Sequence, residues 1–138
     1  MSAPTWTIEQ WVEHGRAWRS LGWAPASISW AAILIGKRGD THCAYSTSGL
    51  LRSDGTVYSD YFVEWVPDMR DPGTRGHALA QVRDAWDEPF LFTSVVDDGE
   101  DFDDDALQWT VTGPEQGPGI DFYPSEAEAL LAAREAAP

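Results

Sequence analysis

The chain has 138 residues and a formal net charge of −14, from 23 acidic against nine basic side chains. A length of this order is expected to form one domain, burying roughly two thirds of the surface of its unfolded chain without help from metal or disulfide. The 43% hydrophobic content and eight Trp exclude an acidic disordered tail, and the single cysteine, Cys43, excludes an internal disulfide.

The first predicted element is a helix. Thr7 and Gln10 have capping-box spacing, and Trp6 and Trp11 flank that cap as a hydrophobic staple. Ile8, Trp11, Val12, Trp18 and Leu21 repeat at helical spacing, and Gly22 is a natural stop. Trp23 is placed to fold back on Trp18.

Ile28 to Ile35 is nearly all apolar and reads as a strand buried on both faces. The turn cluster Gly36 to Asp40 joins it to a hairpin partner, Thr41 to Thr47. Ser53 to Thr56 is a second turn signal. Tyr61 to Val66 is a strand closed by Pro67, and Asp68 to Gly73 reads as a loop. Thr74 is placed to cap a short helix carrying Leu79, Val82 and Trp86.

Phe90 to Val96 is a strand, Asp97 to Asp105 an acidic run, and Leu107 to Thr112 another strand. A Pro/Gly turn leads to a short strand, Ile120 to Tyr123. Ser125 and Glu128 open a closing helix with Ala127, Leu130, Leu131 and Arg134. This strand–turn–strand–helix ending resembles many small bacterial and phage proteins and names no family. The expected class is α+β: residues 1–138 as a single acidic domain. Its antiparallel, or mostly antiparallel, sheet of about five to seven strands carries an N-terminal, a short central and a C-terminal helix.

Chemistry finds few footholds. There is no G-x-S-x-G elbow, and no phosphate-binding glycine loop. His42 and Cys43 are adjacent in a strand and so point to opposite faces, and Cys43 reads as a buried thiol. His14, His42, His77 and Cys43 lack the spacing of a metal site. A calcium loop begun at Asp101 fails at its glycine position, Ala106, and at its closing glutamate position, Thr112. Arg38-Gly39-Asp40 is a hairpin turn before it is an adhesion motif. No catalytic residue, cofactor or metal is assigned, and the sequence gives no positive case for an enzyme.

Nucleic acid is not an expected direct partner, because the chain lacks a basic stripe and its tryptophans lie on apolar faces. No apolar run is long enough for a bilayer, and the N-terminus lacks the pattern of a signal peptide, so a cytoplasmic setting is expected.

The acidic run carries the functional expectation. Seven of the nine residues from 97 to 105 are Asp or Glu, the exceptions being Gly99 and Phe102. The plain reading is a solvated loop. The functional reading makes Asp97, Asp98, Glu100, Asp101, Asp103, Asp104 and Asp105 a charged rim around the apolar anchor Phe102. Such a surface steers a basic protein partner and can stand in for the phosphates that partner normally binds. Acidic inhibitors, immunity proteins and phage-type DNA mimics use this logic. Two alternatives remain: an accessory subunit binding a larger assembly through apolar surface, and a small enzyme or ligand-binding domain with a pocket near His42 and Tyr45. Oligomeric state is not legible. Residues 1–83 hold eight acids and eight bases, whereas residues 84–138 hold fifteen acids and one base, Arg134. The acidity is therefore a property of the last segment, not of the whole chain.

Overall fold

The computed structural model describes residues 6–23, 30–45, 60–97, 107–114 and 117–138. The elements run α1 (Ile8–Ser20), β1 (Ala31–Gly36), β2 (Thr41–Tyr45), β3 (Phe62–Pro67), α2 (Pro72–Trp86), β4 (Phe92–Asp97), β5 (Leu107–Thr112) and α3 (Glu126–Glu135). The α+β class and the three helices agree with expectation. The single sheet of five to seven strands does not: the described residues form a three-stranded sheet, β2-β1-β3, and a separate two-stranded sheet, β4-β5, both antiparallel. The chain divides into two compact units, Trp6–His77 and Ala78–Pro138.

In the first unit, α1 is fixed at both ends by local chemistry. The Thr7 hydroxyl accepts from the Gln10 amide while the Gln10 side chain accepts from the Thr7 amide, completing the capping box. Trp6 and Trp11 pack across it as tilted rings, with centroids 4.6 Å apart. At the other end the Trp23 amide donates to the Trp18 carbonyl and the Gly22 amide to the Arg19 carbonyl. This is a Schellman end, which needs the positive φ of 91° at Gly22. The Trp18 and Trp23 rings meet beside it, 5.6 Å apart.

β1 is the central strand and is buried at all six positions. On one face Ile33 and Ile35 join Val66 of β3 and Val12 of α1 in a core, with Ile8 and Trp11 packed against it. At Gly15 the helix lies tight against the sheet. A Cβ there would lie 2.6 Å from Val66 Cβ and 2.8 Å from the Pro67 carbonyl oxygen. A second layer of packing is a chain of rings: Trp18, Trp23, Trp30 and Trp65 follow one another at centroid spacings of 5.6, 6.0 and 5.3 Å. The Arg19 guanidinium closes it, 4.2 Å above the Trp65 ring.

α2 starts at Pro72, not at Thr74, and at 15 residues it is not short. Asp71 is the cap: its carboxylate accepts from the amide and the hydroxyl of Thr74, each at 2.9 Å. Pro72 then occupies the first helical position, where its missing N–H costs nothing. Thr74 is fully buried and its hydroxyl accepts from the Ala31 amide at 2.7 Å, which ties α2 to the start of β1.

In the second unit, β4 and β5 pair over six positions, from Phe92 opposite Thr112 to Asp97 opposite Leu107. The expected strand at Ile120–Tyr123 is reduced to one bridge, Tyr123 with Trp109. Ser125 caps α3 by accepting from the Glu128 amide. Its hydroxyl also donates to the Glu128 carboxylate, so the reciprocal bond of a full capping box is replaced by a side-chain one. Val82, Leu91, Val111, Ala127, Ala129, Leu130 and Ala133 are buried here. The Trp86 indole N–H donates to the Ala133 carbonyl at 2.8 Å and joins α2 to α3.

Candidate functional site

Of the sequence-predicted site, Asp97 ends β4 directly across from Leu107. Asp98, Glu100, Asp101, Phe102, Asp103, Asp104 and Asp105 lie outside the described residues, as does the Ser53–Thr56 turn. The acidic run is thus the connection between two paired strands. The charge boundary read from sequence nearly coincides with the boundary between the units. Residues 78–138 hold fifteen acids against two bases, Arg83 and Arg134, whereas residues 6–77 are close to neutral with eight acids and seven bases.

The described acids of the second unit include a group at the end of α2. The Glu88 amide donates to the Arg83 carbonyl and the Asp87 amide to the Asp84 carbonyl, another Schellman-type end. The left-handed position is filled by Asp87, with φ of 53°, the one non-glycine residue with positive φ among the described residues. Asp84, Asp87 and Glu88 are exposed there and line a concavity of about 320 Å³ together with Ala80, Arg83 and Pro89. Carboxylates sit poorly at this end of a helix, where the peptide dipoles already place partial negative charge. Arg83 is turned toward the backbone, its Nε donating to the Leu91 carbonyl at 2.7 Å.

The same unit also exposes apolar side chains. Phe90, Phe92, Val95, Val96 and Phe122 are all exposed, against Tyr45 and Val63 in the first unit. The sequence reading placed its apolar anchor at Phe102 and missed these. The adjacent pair Val95-Val96 was a usable signal, since neighbouring strand residues face opposite ways and a two-stranded sheet seldom covers both.

The first unit gathers two polar clusters. On one side of β2, Asp40 accepts from the Tyr61 hydroxyl at 2.5 Å and from His42 Nε2 at 2.6 Å. These bonds, Tyr61 foremost, hold the Asp40 carboxyl below its ordinary range, and the same carboxylate pushes the Tyr61 phenol up. On the other side, Arg70 donates to Cys43 Sγ at 2.8 Å and makes two bonds to the nearly buried Asp68 carboxylate. His42 and Cys43 do point apart, as expected. The Cys43 thiol is exposed, not buried; among the described residues β2 is an edge strand, paired with β1 alone. An open concavity of about 270 Å³ includes Cys43, Tyr45, Asp68, Arg70 and Asp71 but not His42. The remaining histidines lie against tryptophans: His14 beside Trp6, Trp11 and Trp18, and His77 edge-on to Trp23.

Among the described residues, no group of three or more His, Cys, Asp or Glu side chains could hold a metal ion. No described helix is long and apolar enough to cross a membrane. Comparison with protein-family models, curated proteins and solved structures finds no match to this chain.

Proposed function

We propose that the chain is a non-catalytic binding protein that docks on a basic protein through the acidic surface of residues 78–138. Inhibition of a nuclease or another DNA-binding protein, by occupying its phosphate-binding surface, is the activity that fits this charge. One observation carries the reading: nearly all the net charge belongs to one of the two compact units, fifteen acids against two bases. A generally acidic composition would load both units alike. Two further features support it. The carboxylates of Asp84, Asp87 and Glu88 crowd the negative end of α2, at a cost that a cationic partner would relieve. Exposed aromatic and β-branched side chains share that unit, supplying the apolar anchors a charged interface needs. A cytoplasmic setting belongs to the same proposal, supported by the single, exposed and free cysteine.

The test is affinity capture from the native host in about 50 mM and about 500 mM salt, where screening removes most long-range attraction. The expected result is a basic protein retained at low salt and released at high salt. Its affinity should fall about tenfold or more when Asp101, Asp103 and Asp104 are changed together to Asn. Binding that ignores both salt and the triple substitution refutes the proposal. The exposed Phe90, Phe92 and Phe122 favour the second reading, an accessory subunit held by apolar contact, and that reading requires a complex stable at high salt.

A further inference from the structure

The two-stranded sheet of the acidic unit has two unlike edges. The outer edge of β5 is bridged at one position by Tyr123, whose amide and carbonyl bond the Trp109 carbonyl and amide at 2.7 and 2.6 Å. Among the described residues, no strand lies on the outer edge of β4. Open edges in monomeric proteins are usually guarded by Lys, Pro, a bulge or an inward charge, because their backbone groups invite another strand. β4 reads Phe92-Thr93-Ser94-Val95-Val96-Asp97 and has neither Lys nor Pro. Its register with β5 runs through six pairs without a shift, and its one charged residue stands at its end. Phe92, Val95 and Val96 are each 42–43% exposed, so both faces of the strand offer apolar surface beside that edge.

Building on the proposed basic partner, we infer that the outer edge of β4 is the docking line and takes an extended basic segment of that partner as an added strand. Main-chain hydrogen bonds supply sequence-independent affinity in this mode, and alternate side chains supply selectivity. Apolar residues of the added strand lie beside Phe92 and Val96 on one face and Val95 on the other. Its cationic residues meet the carboxylates of the acidic unit. Charge also decides against the rival occupant, a second copy. Pairing β4 with itself brings two units of fifteen acids and two bases side by side, and like charge of that density opposes association. The acidity thus guards the edge against its own kind while opening it to a basic chain.

The test titrates the full chain with a synthetic peptide of about twelve residues alternating Arg and Val, followed by calorimetry and amide exchange. The same peptide methylated at every backbone nitrogen, with its charges kept, is the comparison. The unmodified peptide is expected to bind at low salt and to slow exchange of β4 amides. Full methylation, or Phe92→Lys with Val96→Lys in the protein, is expected to weaken binding about tenfold or more. Equal binding of both peptides without protection of β4 overturns the edge proposal and leaves the acidic-surface reading standing. Failure of both peptides to bind at low salt sinks that underlying reading too. Concentration-dependent dimers with β4 protected in the absence of peptide show a second copy on the edge, and that also overturns the proposal.

Discussion

Mild acid is expected to loosen the Trp6–His77 unit through one histidine. His14 is 7% exposed, its Nε2 accepts from the Trp18 indole N–H at 3.3 Å, and the Trp6 and Trp11 rings flank it. Burial pushes its pKa from 6.5 down to about 4. The fold therefore holds the neutral form, while the unfolded chain takes up a proton near the ordinary value. Between those two pH values the unfolded state binds more protons, so stability rises with pH. The contribution is fully present above about pH 6.5 and drains away as pH falls toward 4. Linkage puts the loss at about 2 kcal/mol by pH 5 and about 3 kcal/mol by pH 4. That is a large share of the ~5–15 kcal/mol typical of a domain. The measurement is urea unfolding followed by far-UV circular dichroism from pH 4 to 7.5, on wild type and on His14→Gln. Glutamine keeps an acceptor for Trp18 and does not titrate. Neutralisation of the many carboxylates is common to both proteins and cancels in their difference. A difference that stays flat across this range refutes the account of His14 as a buried neutral base.

Three other outcomes follow from local geometry. Asp87→Gly is expected to stabilise the chain by about 1 kcal/mol, because it removes a left-handed aspartate and a charge at the wrong end of α2; Asp87→Asn should recover only the charge part, and chemical denaturation separates the two. Gly15→Ala is expected to cost about 1–3 kcal/mol by overpacking, since its methyl would meet Val66 at 2.6 Å, with the loss read from the urea midpoint. Asp71→Ala should cost about 1 kcal/mol by leaving the Thr74 amide without its cap, visible as a lower thermal midpoint.

Whatever depended on near neighbours was legible in the sequence. The cap at Thr7, the Gly22 stop and the Ser125 cap each involve residues within a few positions, and each formed. The start of α2 was legible too, since Asp71-Pro72 is itself a start signal, obscured by Gly73 beside it. The β1–β2 hairpin was legible from its turn cluster, Gly36 to Asp40, whereas the division of the remaining strands between sheets was not, because it is set by distant contacts. That is why one expected sheet became two. His14 and Gly15 escaped the core reading since neither counts as hydrophobic, although a neutral imidazole and a missing side chain both suit a tight helix–sheet contact. The position of the charge was legible down to the unit that carries it. The outer edge of β4, unpaired among the described residues, was not, because an edge is defined by what fails to pair with it.

The ring chain of the first unit decides how the protein will look to a spectrometer. Trp6, Trp11, Trp18, Trp23, Trp30 and Trp65 lie in the Trp6–His77 unit, and only Trp86 and Trp109 lie in the other. Rings 5.3–6.0 Å apart are close enough to exchange excitation, so the near-ultraviolet signal is dominated by the neutral unit. Tryptophan emission therefore combines six reporters in that unit with two in the acidic one, of which Trp109 stands opposite Val95 of β4. A partner titration followed by intrinsic fluorescence is therefore read through Trp109, against the background of the six rings of the other unit.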